Sequence, residues 1–240
     1  MNAFASFRAL HHDRPAGDPL VLPGPWDAVS ARVFVDAGFP ALATPSAGVA
    51  ASLGYEDGAT PAGELFAAVA RIVRSAGVPV SADVEDGYGL APRELVERLL
   101  ETGAVGCNLE DSHKGVLKDP SAHADWLAEV RAAAGEDLFV NARVDTFLAG
   151  GAVRPAVEQA VERAALYVAA GADCVYPIRA PLDALPSLRA GIPGPLNALA
   201  TTDGPRPEEW GERGATRLTY GPGLQRAAAA ALGKAAAALR

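Results

Sequence analysis

Two acids two residues apart, Asp83 and Glu85, sit in the string PVSADVEDGYG (Pro79–Gly89). The apolar run Val78–Val80 leads into them, and the turn Gly87-Tyr88-Gly89 follows. A strand that ends in acids puts charge where the chain leaves the core. In a barrel of parallel strands, that edge is where active sites are built. Side chains at i and i+2 share one face of a strand, so both carboxylates are expected to point at one spot. Two anions held together repel unless a cation joins them, and oxygen-only ligands suit Mg2+ or Mn2+. Read alone, the string also fits an Asp/Gly turn after an ordinary strand.

Residues after the other apolar runs extend this chemistry. The first run delivers Pro23-Gly24-Pro25-Trp26-Asp27, and the second delivers Thr44-Pro45-Ser46-Ala47-Gly48 and then Leu53–Gly58, which contains Asp57. Later runs give Glu110-Asp111 and then Asn141, Arg143 and Asp145. Clustered carboxylates with a single arginine at the mouth suit a divalent cation holding an anionic substrate, the arginine clamping a second carboxylate or phosphoryl group. Ser46-Ala47-Gly48 offers N–H groups and a hydroxyl in a small-residue turn that can receive a carboxylate.

The elements that must position these residues are legible as a repeat. Candidate strands are Leu20–Pro23, Ala41–Thr44, Val80–Asp83, Gly106–Glu110, Phe139–Arg143, Cys174–Pro177, Leu196–Ala198 and Leu218–Tyr220. Between them, Ala62–Ser75 places Leu65, Phe66, Val69, Ile72 and Val73 on one helical stripe. Arg93–Thr102 does the same with Leu95, Val96, Leu99 and Leu100, and Pro155–Ala170 with Val157, Val161, Ala165 and Val168. Gly77, Gly103 and Gly171 follow helices as left-handed caps. Eight strand–helix repeats predict an α/β fold, a single (β/α)8 barrel of the TIM type spanning residues 1–240. A doubly wound open sheet is the alternative. Asn2–Ala9 is expected to cover the barrel bottom. The alanine-rich segment Gln225–Arg240 reads either as the eighth barrel helix or as a contact between subunits.

Composition excludes several classes. A net charge of −8 argues against non-specific nucleic-acid binding, which needs a basic face. No run approaches the ~20 apolar residues of a membrane span, and the start lacks a charged-then-apolar leader pattern, so no membrane partner is expected. Cys107 and Cys174 lie in apolar runs without metal-ligand spacing. They read as buried free thiols of a cytoplasmic protein.

The strings WDAVSARVFVDAGFPALATPSAGVAASLGYEDG, SADVEDGYG, NLEDS and NARVD occur in order at these strands. Together they resemble the isocitrate lyase/phosphoenolpyruvate mutase superfamily from about Pro23 to Asp145. The resemblance implies Mg2+-dependent chemistry on 2-oxo acids, making or breaking a C–C or C–P bond next to an enolate of pyruvate. It implies that Asp83 is the direct metal ligand, with Glu85 and Glu110 the second and third acids, often acting through metal-bound water. Ser46, Ala47 and Gly48 become the cradle for the substrate carboxylate, with Trp26 and Asp83 beside it. Asp57 and Arg143 become catalytic, and Arg143 also binds substrate. Members commonly exchange a C-terminal helix between barrels, which implies a homo-oligomer, a dimer or tetramer.

Two departures from the family pattern stand out. The cleaving lyases carry a Cys-containing loop after the fourth strand, whereas this chain reads Glu110–Pro120 without a Cys. The phosphonomutase branch uses a histidine near a later strand, and this chain has none after His123. His113 or Lys114 reads either as a replacement acid or, the favoured reading, as a solvated loop residue. The expected activity is a lyase or hydrolase cleaving a C–C bond in a small 2-oxo (di)carboxylate. The alternatives are a phosphonate-branch mutase or phosphonopyruvate-type hydrolase, and a non-catalytic 2-oxo-acid binder.

Overall fold

The computed structural model describes residues 3–12, 14, 15, 17–148 and 150–240. Its eight parallel strands are β1 (Leu20–Leu22), β2 (Leu42–Ala43), β3 (Val80–Asp83), β4 (Gly106–Glu110), β5 (Phe139–Val144), β6 (Cys174–Pro177), β7 (Asn197–Leu199) and β8 (Arg217–Thr219). The helices are α1 (Ala3–His11), α2 (Ala28–Asp36), α3 (Ser46–Leu53), α4 (Ala62–Ala76), α5 (Pro92–Thr102), α6 (Pro120–Ala134), α7 (Val153–Ala169), α8 (Leu185–Gly191), α9 (Pro207–Glu212) and α10 (Gly223–Ala237). Strands pair in the orders β1-β8-β7 and β2-β3-β4-β5-β6. A lone parallel bridge, Val175 to Leu196, ties β6 to the chain entering β7. The Ala43 N–H donates to the Pro23 carbonyl at 3.1 Å, tying β2 to the end of β1. Strand β1 thus has a neighbour on each side. The sheet closes into a (β/α)8 barrel, and the open-sheet alternative falls.

Alternation along the strands explains the two layers. Val80, Ala82, Cys107, Leu109, Val140 and Ala142 pack outward into the core shared with the helices. The residues between them are polar and buried, among them Ser81, Asn108 and Asn141. Asn141 donates to Asn108 at 2.6 Å, and Arg217 of β8 reaches Asn108 of β4 at 3.4 Å, through the barrel interior. Helices α4 and α5 bury the expected stripes except at Val73, partly buried, and Leu100, exposed, and end on left-handed Gly77 (φ 67°) and Gly103 (φ 81°). Helix α7 differs. It buries Ala160, Arg163, Ala164 and Tyr167, while Val157, Val161 and Val168 are only partly buried and Ala165, also expected on the stripe, is exposed.

Helix α1 covers the N-terminal end of the barrel, as expected; Asn2 of that expectation lies outside the described residues. Phe7 is fully buried against Leu20, Leu22 and Phe139. His11 stacks on Phe139 at 4.2 Å. Its Nδ1–H donates to the Phe7 carbonyl at 2.8 Å, which leaves Nε2 facing Arg217 at 3.4 Å. Burial and then the Arg217 charge hold His11 down at about 3. Burial, Lys118 and Arg163 hold His123 at about 3 as well. Each histidine takes up a proton near 6.5 when unfolded and not until about 3 when folded. Their stabilisation is therefore complete above pH 6.5 and is lost as pH falls toward 3. At pH 5 we expect a loss of roughly 2 kcal/mol for each, read by urea titration. A His123→Phe variant should show a shallower acid decline, and an unchanged decline would refute the assignment for His123.

Burial pushes the thiols of Cys107 and Cys174 up to about 12, and both are free. Among the described residues no helix is long and apolar enough to cross a membrane. Helix α10 does not cover its own barrel: every residue from Arg226 onward is exposed, including Leu232 at 71% and Leu239 at 88%.

Candidate active site

The C-terminal ends of the strands open into one cavity of about 950 Å³. Asp83 closes β3 and projects into it. Its Oδ2 accepts from the Ser46 hydroxyl at 2.9 Å and from the Ser46 N–H at 3.3 Å. Ser46 opens α3, whose preceding residue, Pro45, supplies no side-chain cap. An orphan N–H of the first turn is thus met by a carboxylate from a neighbouring strand. The Ser46–Gly48 segment is the first turn of a helix and not the small-residue turn expected. It still presents N–H groups to the cavity, and Ser46 and Ala47 line it.

Glu85 corrects the strand argument. Strand β3 ends at Asp83, and Glu85 lies beyond it in the left-handed region (φ 53°). The turn brings it back to the cavity. Its N–H donates to Asp83 Oδ1 at 3.3 Å, and the Tyr88 hydroxyl donates to its carboxylate at 2.8 Å. Tyr88 is also left-handed (φ 56°). Two non-glycine residues in that region within one turn cost about 1–3 kcal/mol each, strain of the kind stored at functional sites.

Register supplies the third acid and the arginine. Glu110 of β4 pairs with Arg143 of β5. Arg143 Nη1 lies 2.7 Å from the Glu110 carboxylate. Its Nε and Nη2 donate to the two Asp145 oxygens at 2.7 and 3.2 Å. Burial pushes Glu85 up to about 7, against the Tyr88 hydrogen bond, with Asp83 and Asp57 adding to the rise. Burial pushes Glu110 up to about 8, against the pull of Arg143, with Asp83 again adding to it. Among the described residues neither Asp83 nor Glu85 has a cationic partner.

The donor set fits a hard cation, being all oxygen and under-neutralised. Among the described residues no three acids, histidines or cysteines are grouped to ligate one ion directly. The arrangement suits one direct ligand, Asp83, with Glu85 and Glu110 reaching an ion through water.

Asp57 lines the rim, exposed and without a hydrogen bond among the described residues. Trp26 and Gly48 do not line the cavity. They pack together behind it, where a Cβ on Gly48 would lie 2.9 Å from Pro45 and 3.6 Å from Trp26. The expectation of a single arginine at the mouth is also corrected, because Arg179 and Arg226 line the cavity with Arg143. Arg179 lies two residues past the end of β6 in left-handed backbone (φ 60°). Its place just beyond the Cys174–Pro177 run was the available signal. The region after Glu110 forms a hairpin, Ser112–His113 against Val116–Leu117. It presents His113 and Lys114 to the cavity, with His113 Nδ1 2.6 Å from Asp86.

Comparison with known proteins agrees with this geometry. The family model for phosphoenolpyruvate phosphomutase matches residues 7–240. An uncharacterized protein of Mycobacterium tuberculosis is 36% identical over 234 residues, 94% of this chain and 87% of that one. The 2,3-dimethylmalate lyase of Eubacterium barkeri is 30% identical over 193 residues, 73% of this chain and 63% of the enzyme. A solved protein of Burkholderia cenocepacia J2315 superposes with a TM-score of 0.89 at 38% identity, covering 98% of each chain. With its closed barrel, its strand-end acids and these matches, the chain belongs to the isocitrate lyase/phosphoenolpyruvate mutase superfamily of lyases and mutases.

Proposed function

We propose that this protein is a Mg2+-dependent enzyme that cleaves a C–C bond in a small 2-oxo dicarboxylate, as a lyase or hydrolase. The observation that carries this reading is the convergence of Asp83, Glu85 and Glu110 on one cavity with Arg143 and the first turn of α3. The lyase name of the Eubacterium barkeri relative supports the C–C side. When bound through Asp83, with Glu85 and Glu110 acting by way of water, Mg2+ supplies Lewis-acid stabilisation of the charge that develops on the 2-oxo oxygen. The N–H groups that open α3, beside the Ser46 hydroxyl held by Asp83, receive a substrate carboxylate in a fixed orientation. Arg143 balances the far carboxylate while Glu110 and Asp145 hold its plane. Asp57 stands free at the rim to take a proton from water or a substrate hydroxyl. The hairpin after Glu110 covers the cavity and excludes water.

The test is a panel of 2-oxo acids and their aldol-type adducts with Mg2+, assayed for pyruvate or glyoxylate release. Turnover of phosphonates alone would overturn the C–C reading. Saturable binding without turnover of any member would favour a binding protein.

We also read α10 as a contact with a second copy of the chain, in a cytoplasmic homo-oligomer. The exposed C-terminal segment from Arg226 to Arg240, with Leu232, Leu239 and nine alanines in two blocks, leaves apolar surface uncovered. Deleting residues 225–240 is expected to convert the oligomer to monomer by light scattering. A full-length chain already monomeric at micromolar concentration would rule this out.

A further inference from the structure

We propose that Arg163 and Tyr167, on the outer layer of the barrel, position Arg143 and the hairpin over the cavity by way of Asp111 and Asp145. The assignment rests on reading Arg143 as a substrate-binding group. It goes beyond that reading by naming two residues that touch no substrate.

Asp111 follows Glu110 at the end of β4 and is completely buried. A buried carboxylate needs partners, and it has three. Its Oδ2 accepts from Arg163 Nη1 at 2.9 Å and from the Tyr167 hydroxyl at 2.8 Å. Its Oδ1 accepts from the Asp145 N–H at 2.8 Å. Asp145 holds the Arg143 guanidinium by two hydrogen bonds and accepts from the hydroxyl of Ser112, the first hairpin residue, at 2.6 Å. At the far end of the hairpin, Arg163 Nη2 donates to the Lys118 carbonyl at 3.0 Å, and the Lys118 N–H donates to the Asp111 carbonyl at 2.8 Å. The near end of the hairpin and the cavity arginine therefore hang from Asp145, whose N–H the Asp111 carboxylate holds; the far end hangs from Arg163 and the Asp111 backbone carbonyl, and α7 holds Asp111 from outside.

Stability alone does not account for this arrangement. A buried ion pair is often replaced by apolar side chains at no cost to the fold. Here α7 also tolerates a buried Arg163 Nε with no partner. What apolar residues would not supply is a fixed anchor for the Asp145 N–H and the Lys118 carbonyl, and through them for Arg143. Neither Arg163 nor Tyr167 lines the cavity, so both are positioning residues.

The test uses Tyr167→Phe and Arg163→Lys in the full chain, followed by the 15N–1H signal of the Arg143 Nε–H. That signal is assigned by its loss in Arg143→Lys. In wild type it should exchange slowly with water; in both variants exchange should be at least about tenfold faster. The Arg131 Nε–H, bonded to the Gly171 carbonyl at 2.9 Å, should stay unchanged as the reference. Oxalate affinity in Mg2+, by calorimetry, should fall at least about fivefold in parallel. A lowered melting temperature with unchanged Arg143 exchange would overturn the proposal and leave a merely structural pair. If Arg163→Lys fails to fold, Tyr167→Phe, which removes one hydroxyl, decides alone. A wild-type protein that does not bind oxalate would count against the proposed function, while the exchange measurement still decides the positioning claim.

Discussion

Replacing Asp83 by alanine is expected to lower Mg2+ affinity by more than about a hundredfold and turnover by about a thousandfold, with the fold intact. Asp83 is the one acid that both ends a barrel strand and lacks any cationic partner among the described residues. The other two acids are compensated differently: Glu110 by Arg143, Glu85 by the Tyr88 hydroxyl. Losing the proposed direct ligand should remove several kcal/mol of charge stabilisation, which at 1.36 kcal/mol per factor of ten is about a thousandfold. The Ser46 hydroxyl, freed from Asp83, can turn toward solvent in the cavity, so folding should survive. Calorimetric titration of Mg2+ into the variant checks this, with circular dichroism as the fold control. Glu85→Gln should cost much less, since an amide still holds a water. Wild-type affinity in Asp83→Ala would remove the metal assignment altogether.

Replacing Arg143 by methionine should cost about 3–5 kcal/mol of stability and at least about a hundredfold in turnover. The stability loss comes from stranding two acids. Asp145 has a side chain only 2% exposed and Glu110 one 16% exposed, and both rely on this guanidinium. With the cation gone, Glu110 rises above its present value of about 8. A carboxyl whose folded pKa is raised is favoured below its unfolded value and loses that contribution as pH climbs through the folded one. The deficit should therefore widen as pH rises above about 8, where the wild-type Glu110 ionises and the variant's does not, followed by thermal melts at each pH. Arg143→Lys returns the charge without the two-pronged donor geometry, so stability should recover in part while substrate affinity stays low. Full recovery of both by lysine would show that a point charge is enough.

The barrel was legible in the sequence because its strands are short apolar runs bounded by turns and its helices carry clear stripes. The strand-end acids were legible for the same reason, since a charge that stops an apolar run marks the edge of the core. Glu85 was assigned to the right cavity for the wrong reason. The sequence shows an i, i+2 pair, and only the backbone shows the chain leaving the strand before Glu85. The helix at Ser46 was hidden because Pro45 gives no side-chain cap signal and Ser46-Ala47-Gly48 is weakly helical by composition. The contact between Arg163 and Asp111 spans 52 residues and carries no local signature. A charged residue on the buried face of α7 breaks the stripe that the valines of that helix suggest. Periodicity averages over one such exception.

The two seams of the barrel divide the labour of the site. The five strands β2 to β6 form one continuous sheet; β7, β8 and β1 form the other, whose edges meet the first, among the described residues, through one bridge and one backbone hydrogen bond, with Arg217 reaching Asn108 across the interior. Ser46, Asp83, Glu85, Glu110 and Arg143 all belong to the five-stranded side. The three-stranded side contributes the opposite wall, with Thr201, Asp203 and Arg226. The thinly stitched wall can therefore breathe to admit a ligand while the charged machinery keeps its registration. Native-state amide exchange should reveal two cooperative units that part along these seams, the smaller opening at lower free energy.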